Sequence, residues 1–185
     1  MKKIAFILLA LVVCSSSPKQ KEQPACPPTV EQPRTCSASK YEVHFSPHGG
    51  CSKAIVEFIE SAKHSIHIQT YSFTSQPITD ALIAAHQRGV AVELLADKSD
   101  ELGSSVHRLA ALKAGGVSVF IDSKHAIAHN KVIVVDSKTV ETGSYNYTGQ
   151  AETSNAENCL IISDMSLARE YEANWQVHKT HSTRF

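Results

Sequence analysis

The sequence has no excess of charge of either sign, since 18 lysines and arginines balance 18 aspartates and glutamates. Phosphate contacts dominate the affinity of proteins for nucleic acid, so local charge would have to hold any such partner. The neutral balance therefore counts mildly against a nucleic-acid partner. The ten histidines reduce the weight of this argument, because some carry positive charge just below neutral pH. No internal repeat and no zinc-type cysteine spacing are present. The 185 residues therefore indicate one domain without a general basic surface.

Membrane-spanning apolar runs are also missing. The unbroken apolar run from Ile4 to Val13 is ten residues long, too short to cross a bilayer as a helix. Two lysines precede it and small serines follow, which is typical of a signal peptide. We expect residues 1–17 to be this signal, and the protein to be exported to the periplasm or cell envelope, or secreted. Cys14 raises an alternative, a lipoprotein signal ending before it, so that any membrane contact is through the leader or a lipid anchor.

The remaining cysteines are few and are interpreted in the light of export, which leads to an oxidising compartment. Cys26, Cys36, Cys51 and Cys159 would allow two disulfides, and Cys26 with Cys36 would close a short loop. Isolated thiols without a role are an equal alternative for Cys51 and Cys159.

The organisation of the chain changes near residue 40. Residues 18–40 are rich in proline, serine, glutamine and lysine, which predicts a flexible tether. In 41–185, apolar runs alternate with helical patterns, which predicts an α/β domain with a sheet flanked by helices on both faces. The predicted strands are 41–46, 65–73, 90–96, 117–121, 131–136, 139–144 and 159–163. Helices are predicted over 52–62, from Pro77 to Gly89, from Ser104 or Ser105 to Gly115, and after Asp164.

The stretch that carries chemistry begins at His129. In a strand over 131–136, His129 and Lys131 project to one side and Asp136 to the other. We expect a two-residue hairpin tip at 137–138, so that Asp136 pairs with Thr139. This pairing sets Lys131 opposite Ser144 and His129 opposite Asn146.

Such a hairpin end would gather an imidazole, an ammonium, a hydroxyl and an amide within about 5 Å of their cross-strand partners. This set suits a phosphate, because three groups donate hydrogen bonds to its oxygens and His129 attacks phosphorus or shuttles a proton. Tyr145 and Tyr147 alternate with the site residues, and we expect them to pack in the core.

Six positions over eighteen residues resemble the signature of the phospholipase D superfamily: His129, Lys131, Asp136, Gly143, Ser144 and Asn146. Segments 71–74, 140–144 and 155–158, with Trp175, resemble the small bacterial endonucleases of the plasmid-encoded Nuc type. The resemblance covers about residues 41–179.

The resemblance implies a phospholipase D-like α-β-α sandwich with a mixed sheet, and a two-step hydrolysis without metal or cofactor. One histidine forms a covalent phosphohistidine, and a second protonates the leaving oxygen and then activates water. Carried onto this chain, His129 is the nucleophile or the acid, and Lys131 and Asn146 hold the phosphate oxygens with Ser144 nearby. Glu157 orients the imidazole, and Asp136 acts structurally.

The two-step reaction requires a second catalytic histidine, but the chain carries only one copy of the motif that contains it. In an in-line displacement the nucleophile and the leaving group lie on opposite sides of phosphorus. One imidazole cannot serve both sides, and the chain carries a single motif. We therefore expect a homodimer in which each subunit contributes one His129 to a shared site on the two-fold axis.

A metal-dependent nuclease is the competing mechanism. His64 with His67, and His125 with His129, have spacings of three and four that could suggest metal ligands. Neither pair falls on a clear helix face, and no carboxylate is expected to complete a set.

The preferred function is an exported endonuclease that acts on DNA, with RNA as a further substrate. A phospholipase D would use the same residues on a phosphatidyl lipid, but would need an apolar mouth near His129. A non-catalytic envelope protein that binds DNA is a third hypothesis. An accessory to a transfer or uptake apparatus is a fourth.

Overall fold

The computed structural model describes residues 40–185, so the predicted leader, most of the tether, Cys14, Cys26 and Cys36 lie outside the described residues. The strands are β1 (Lys40–Ser46), β2 (Ser65–Thr70), β3 (Ala91–Asp97), β4 (Ser118–Asp122), β5 (Val132–Val135), β6 (Thr139–Gly143), β7 (Glu157–Ser163) and β8 (Thr183–Arg184). The α-helices are α1 (Cys51–Glu60), α2 (Gln76–Gln87), α3 (Ser105–Ala114), α4 (Gly149–Thr153) and α5 (Met165–Lys179), and a short 3-10 helix spans Lys98–Glu101.

The eight strands of this part of the chain form one mixed sheet in the order β1-β7-β6-β5-β2-β3-β4-β8. Strands β2, β3 and β4 are parallel, and the other neighbours are antiparallel. The parallel part arises because α2 and α3 cross between successive strands, as parallel neighbours require. This confirms the predicted α/β class with a mixed sheet.

Helices cover both faces of the sheet, as the pattern predicts. One face packs against α1, α2 and α3 through residues such as Ile55, Leu82 and Leu109. On the other face, Leu167 and Tyr171 of α5 pack against a smaller cluster of valines from β5 and β6. Three layers result, with the sheet in the middle.

The starts of α2 and α5 have side-chain caps, whereas Ser104, the N-cap residue of α3, makes no such hydrogen bond. The Ser75 hydroxyl accepts a hydrogen bond from the Ile78 N–H at the start of α2, whose first turn contains Pro77. The Asp164 carboxylate accepts from the N–H groups of Ser166 and Leu167 and caps α5. These local contacts explain why the starts of α2 and α5 are readable from sequence.

Burial decides several further expectations. Tyr145 and Tyr147 are buried, which confirms that they pack in the core. Cys51 and Cys159 are buried free thiols, so the alternative of isolated thiols holds for both. Within residues 40–185, no helix combines the length and apolar character that a bilayer crossing needs.

Candidate active site

The predicted catalytic residues lie at one edge of the sheet. Strand β5 is antiparallel to β2 and pairs Val132 with Gln69, so the start of β5 adjoins the carboxyl end of β2. The end of β6 and the start of β7 meet at the same edge, where Gly143 pairs with Cys159. Loop 123–131 therefore delivers His129 and Lys131 to an edge that already holds Ser144 and Glu157.

His129 and Lys131 are in direct contact. The Lys131 Nζ atom lies 3.1 Å from His129 Nδ1, 3.4 Å from Nε2, and donates to the His129 backbone oxygen at 2.9 Å. The ammonium thus lies against the imidazole ring, where it can hold a phosphate oxygen beside the histidine.

Tyr71 completes the surroundings of this pair. Its ring centroid lies 4.4 Å from that of His129, and Lys131 Nζ lies 5.2 Å from the same tyrosine ring. His129 is exposed, whereas Lys131 is only 6 % exposed. Burial lowers the pKa of Lys131, although the charge of Glu157 opposes this shift. The ammonium is thus held in a poorly solvated place, where its attraction for a phosphate is strengthened.

The second half of the site is a hydrogen-bonded group around Ser144. The Ser144 hydroxyl donates to Glu157 Oε2 at 2.6 Å and accepts from the Asn158 N–H at 3.1 Å. The other oxygen of Glu157 accepts from the Asn155 amide at 3.0 Å. Within residues 40–185, the hydrogen bonds of Glu157 go to Ser144 and Asn155, and His129 is not among its partners.

Gly143 is required by the close approach of two strands. A Cβ atom at this position would collide with the backbone oxygen of Asn158 in β7. That same oxygen accepts hydrogen bonds from the N–H groups of Ser144 and Tyr145. The glycine of the motif therefore lets β6 lie against β7 closely enough to set Ser144 beside Glu157.

Asn146 is half-buried, and its side-chain oxygen has no hydrogen-bond partner within residues 40–185. Such a group is costly unless a polar partner meets it. The structure thus brings together His129, Lys131, Ser144 and Glu157, with Asn146 on the same hairpin end.

Asp136 lies at the opposite end of this hairpin. Its carboxylate accepts hydrogen bonds from the N–H groups of His64, Ser65 and Lys63 at 2.7, 2.9 and 3.1 Å. Burial opposes ionisation, but the N–H donors, Ser65 first, outweigh it and lower the pKa of Asp136 below its ordinary value. The carboxylate holds the turn between α1 and β2 to the hairpin.

The predicted register of the hairpin is wrong by one residue. Val135, and not Asp136, pairs with Thr139, because Asp136 leaves the ladder and turns toward β2. Asp136 and Ser137 both adopt positive φ, of 53° and 51°, which gives a three-residue turn. The residue that continues the pairing opposite Lys131 is consequently Gly143, while Ser144 reaches the site one position further on.

The histidine pairs singled out by spacing do not converge. His67 Nδ1 contacts Glu172 at 2.7 Å and its ring stacks on Trp175, whereas the His64 backbone N–H binds Asp136. His125 contacts Asp122 and not His129. The sequence interpretation also missed Asn155, which bonds Glu157 but lies outside the periodic strand and helix patterns.

Comparison with known proteins agrees with this geometry. Residues 55–178, more than half of the chain, match the family model described as "Cardiolipin synthase, PLD-like domain". A phospholipase D of Rickettsia prowazekii is 44% identical over 146 residues, which are 79% of this chain and 71% of that protein.

Two solved structures share the fold. The phospholipase D family member Nuc from Salmonella typhimurium matches with a TM-score of 0.77 and 37% identity, covering 80% of this chain and 98% of that one. NucT from Helicobacter pylori matches with a TM-score of 0.70 and 23% identity, over 80% and 99% of the two chains. With the family match and the histidine–lysine pair at the sheet edge, the chain belongs to the phospholipase D superfamily and is a phosphodiesterase with a single copy of the family's motif.

Proposed function

We propose that this phosphodiesterase is an endonuclease that hydrolyses nucleic-acid phosphodiester bonds, DNA first, through a covalent phosphohistidine on His129. The observation that carries the proposal is the contact of the Lys131 ammonium with the His129 ring at 3.1 Å. It sets a cation that attracts phosphate directly beside the imidazole that would attack phosphorus.

The reaction divides into two displacements. In the first, a ring nitrogen of His129 forms a bond to phosphorus while the bond to the leaving oxygen breaks, and a second imidazole gives that oxygen a proton. In the second, the second imidazole takes a proton from water, whose oxygen displaces His129 from phosphorus. No metal enters either step of this proposal.

The other site residues have roles suited to their chemistry. Lys131 and Asn146 hold the phosphate oxygens, and Ser144 lies nearby with its hydroxyl fixed by Glu157. Glu157 orients an imidazole, and since it does not contact His129 of its own subunit, the histidine of a second subunit is the natural partner. Asp136 holds the hairpin and takes no part in the reaction.

Nucleic acid is supported as the substrate by likeness and by local chemistry. The Nuc-type segments extend beyond the motif, and the Salmonella protein named Nuc is matched over 98% of its length. Tyr71 lies against His129 and could stack on a base. Lys98 and Lys124 are exposed on the segments that follow β3 and β4, at the same sheet edge. They supply the local charge that the neutral overall balance requires.

A phospholipase D is the second candidate, and one observation favours it. Ile127 is 56 % exposed and lies two residues before His129, so the loop presents an apolar side chain beside the site. Leu102, after the neighbouring strand β3, is also exposed. The Rickettsia relatives carry the name phospholipase D.

A non-catalytic DNA-binding protein would need neither this loop nor the Lys131–His129 contact.

A homodimer with a shared site is part of the proposal. Strand β1 is an edge strand, and its alternate residues Tyr41, Val43 and Phe45 are exposed on one face. Phe45 pairs with Asn158, whose N–H binds Ser144, so this apolar stripe runs up to the site. A second copy packed on the stripe would bring its own His129 to the shared phosphate.

The setting we propose is the cell envelope or periplasm, or secretion from the cell, on the basis of the leader at residues 1–17. A nuclease there would meet nucleic acid from outside the cell.

The test is a substrate comparison in excess EDTA. The chain from about residue 15 is incubated with plasmid DNA, single-stranded DNA and phosphatidyl lipid vesicles, alongside His129→Ala and the exposed control His107→Ala. We expect DNA nicking that survives EDTA, persists in the control and disappears in His129→Ala. Lipid hydrolysis with untouched DNA would transfer the proposal to the phospholipase, and retained nicking in His129→Ala would reject the nucleophile.

A further inference from the structure

Three histidines converge on one aspartate at a distance from the Lys131–His129 pair. Asp122 is the last residue of β4, and His125 lies in the loop after it. His178 lies in the last turn of α5, and His181 just beyond that helix. One atom from each of these residues can be chosen so that all four lie within 4.8 Å of one another.

The contacts centre on a single carboxylate oxygen. Asp122 Oδ2 lies 2.9 Å from His125 Nδ1, 2.9 Å from His178 Nδ1 and 3.3 Å from His181 Nε2. The other oxygen, Oδ1, is already used by the N–H groups of Lys124 and His125. The Asp122 side chain is only 2 % exposed, so bulk solvent hardly reaches its carboxylate.

Hydrogen bonding alone explains this arrangement poorly. A carboxylate oxygen has two lone-pair directions, and here three imidazole nitrogens approach the same oxygen. The rings also crowd one another, with centroids 4.8, 5.1 and 5.4 Å apart. Three imidazole nitrogens and one carboxylate oxygen brought this close together form a donor set that suits a divalent cation.

We propose that Asp122, His125, His178 and His181 bind a divalent transition-metal ion, with Zn²⁺ the fitting ion. Imidazole nitrogen and carboxylate oxygen are zinc ligands, with bonds of about 2.0–2.2 Å, so tetrahedral ligand atoms lie roughly 3.3 Å apart. The Asp122–histidine distances of 2.9 to 3.3 Å are close to this spacing. Mg²⁺ and Ca²⁺ prefer sets of oxygens and fit three imidazoles badly.

Four protein ligands close the coordination sphere, which is the pattern of a structural zinc site. His125 is 42 % exposed, so the ion has a route in from solvent. In the sheet order, β4 is three strands from β5, about 14 Å at the usual strand spacing. The metal is therefore separate from the phosphodiesterase reaction and supplies no step of it.

The site would add to contacts that already join three parts of the fold, since β8 pairs with β4 and Lys179 of α5 binds Glu93 of β3. The end of α5 and the segment leading into β8 would be fixed to β4, and so would the start of loop 123–131. The Lys98 ammonium donates to the His125 backbone oxygen at 2.8 Å, and the Asp97 carboxylate accepts from the Ala128 N–H at 2.7 Å. The ion would thus fix the start of loop 123–131 at His125, while His129 lies near the other end of the same loop.

The sequence does not reveal this site, because two of its four residues are far from the other two along the chain. His178 and His181 are 56 and 59 residues from Asp122 along the chain. Spacing alone paired His125 with His129 and found no carboxylate, while the fold supplies Asp122 three residues before His125.

Zinc binding by the untagged full chain tests the proposal. After dialysis against a chelator, Zn²⁺ is titrated by calorimetry, bound metal is counted by elemental analysis, and thermal unfolding is followed with and without Zn²⁺. We expect one Zn²⁺ per chain, a higher unfolding midpoint with Zn²⁺, and at least tenfold weaker binding in His178→Gln and His125→Gln. Co²⁺ in place of zinc should give the intense visible absorption of tetrahedral coordination.

The matched control is His107→Gln, an exposed histidine on α3, which should bind Zn²⁺ like the unaltered chain. His125→Gln guards against misfolding, because its side chain is the most exposed of the four, and circular dichroism checks each variant. Failure of the unaltered chain to bind, or equal binding by His125→Gln, His178→Gln and the control, would overturn the proposal. These readouts involve no catalysis, so they are independent of the substrate test.

Discussion

At the scale of residues, the site combines an exposed histidine with a support that is held by hydrogen bonds. His129 is exposed, while Lys131, two residues later, is buried and reaches back to contact it. Glu157 is held on both oxygens by Ser144 and Asn155. A carboxylate fixed in this way has a set direction, and in the proposed mechanism it would orient an imidazole without forming a bond to phosphorus.

This distinction predicts different costs for two substitutions. Glu157→Gln keeps the shape but removes the charge that steadies a protonated imidazole, so we expect activity to fall roughly 10- to 100-fold. His129→Ala should remove turnover altogether. Initial rates on plasmid DNA compare the two variants, with Glu170→Gln on the exposed side of α5 as control. Equal losses in Glu157→Gln and His129→Ala would assign Glu157 a direct part in proton transfer.

At the scale of elements, the β5–β6 hairpin is held at both ends by different means. Its open end carries the site, and its turn is tied to the start of β2 through Asp136. Of the three N–H donors that bind this carboxylate, those of Lys63 and His64 lie in the turn before β2, and that of Ser65 lies in the first residue of β2. The Asp136 N–H in turn donates to the Ser65 backbone oxygen. Asp136 is therefore a support for the site from its far end.

The stability role of Asp136 should depend on pH. The folded pKa lies below the ordinary value of 3.8, so the contribution is present above pH 3.8 and is lost as pH falls through the folded pKa. Asp136→Asn should lower the free energy of unfolding by about 1–2 kcal/mol at pH 7, because charge-assisted hydrogen bonds are lost. Urea unfolding at pH 7 and near pH 3 measures this.

The exposed control is Asp80→Asn, which within residues 40–185 is hydrogen-bonded to Gln76 in its own helix α2, and its cost should stay within about 0.5 kcal/mol. A loss for Asp136→Asn that is the same at both pH values would refute the electrostatic account.

Much of this element pattern was readable because strands and helices obey local periodicities. Pro77 and Asp164 indicate the starts of their helices, because a proline in the first turn and a side-chain cap need no distant partner. The hairpin register was not readable, since Asp136 leaves the ladder for N–H groups 71 to 73 residues away. Helix α4 and strand β8, with five and two residues, are too short to show a period.

The candidate site follows the same rule. His129, Lys131, Ser144 and Asn146 lie on one hairpin, so a motif finds them, and Glu157 comes from likeness to the family. The four groups around Asp122 come from β4, its following loop and the end of α5, and only the folded chain brings them together.

At the scale of the whole molecule, one motif per chain has a consequence for stoichiometry. If each dimer holds one reaction centre that needs both His129 side chains, a dimer of one inactive and one unaltered chain should have no activity. Mixing His129→Ala with unaltered chain in equal amounts, at fixed total concentration and after subunit exchange, should leave about one quarter of the activity. Independent sites would leave about one half, because each unaltered chain would work alone.

The double variant Phe45→Asp, His129→Ala supplies the control for this mixing. Phe45 is 61 % exposed, so an aspartate there should be tolerated in the single chain while a charge is set into the apolar stripe. This variant should not enter dimers, and mixing it with unaltered chain should only dilute the activity to about one half. Light scattering should show Phe45→Asp alone as a monomer, and an assay on plasmid DNA should show that this monomer is inactive. A linear dependence on the fraction of unaltered chain, with exchange demonstrated, would place the second proton donor within a single subunit and remove the shared site.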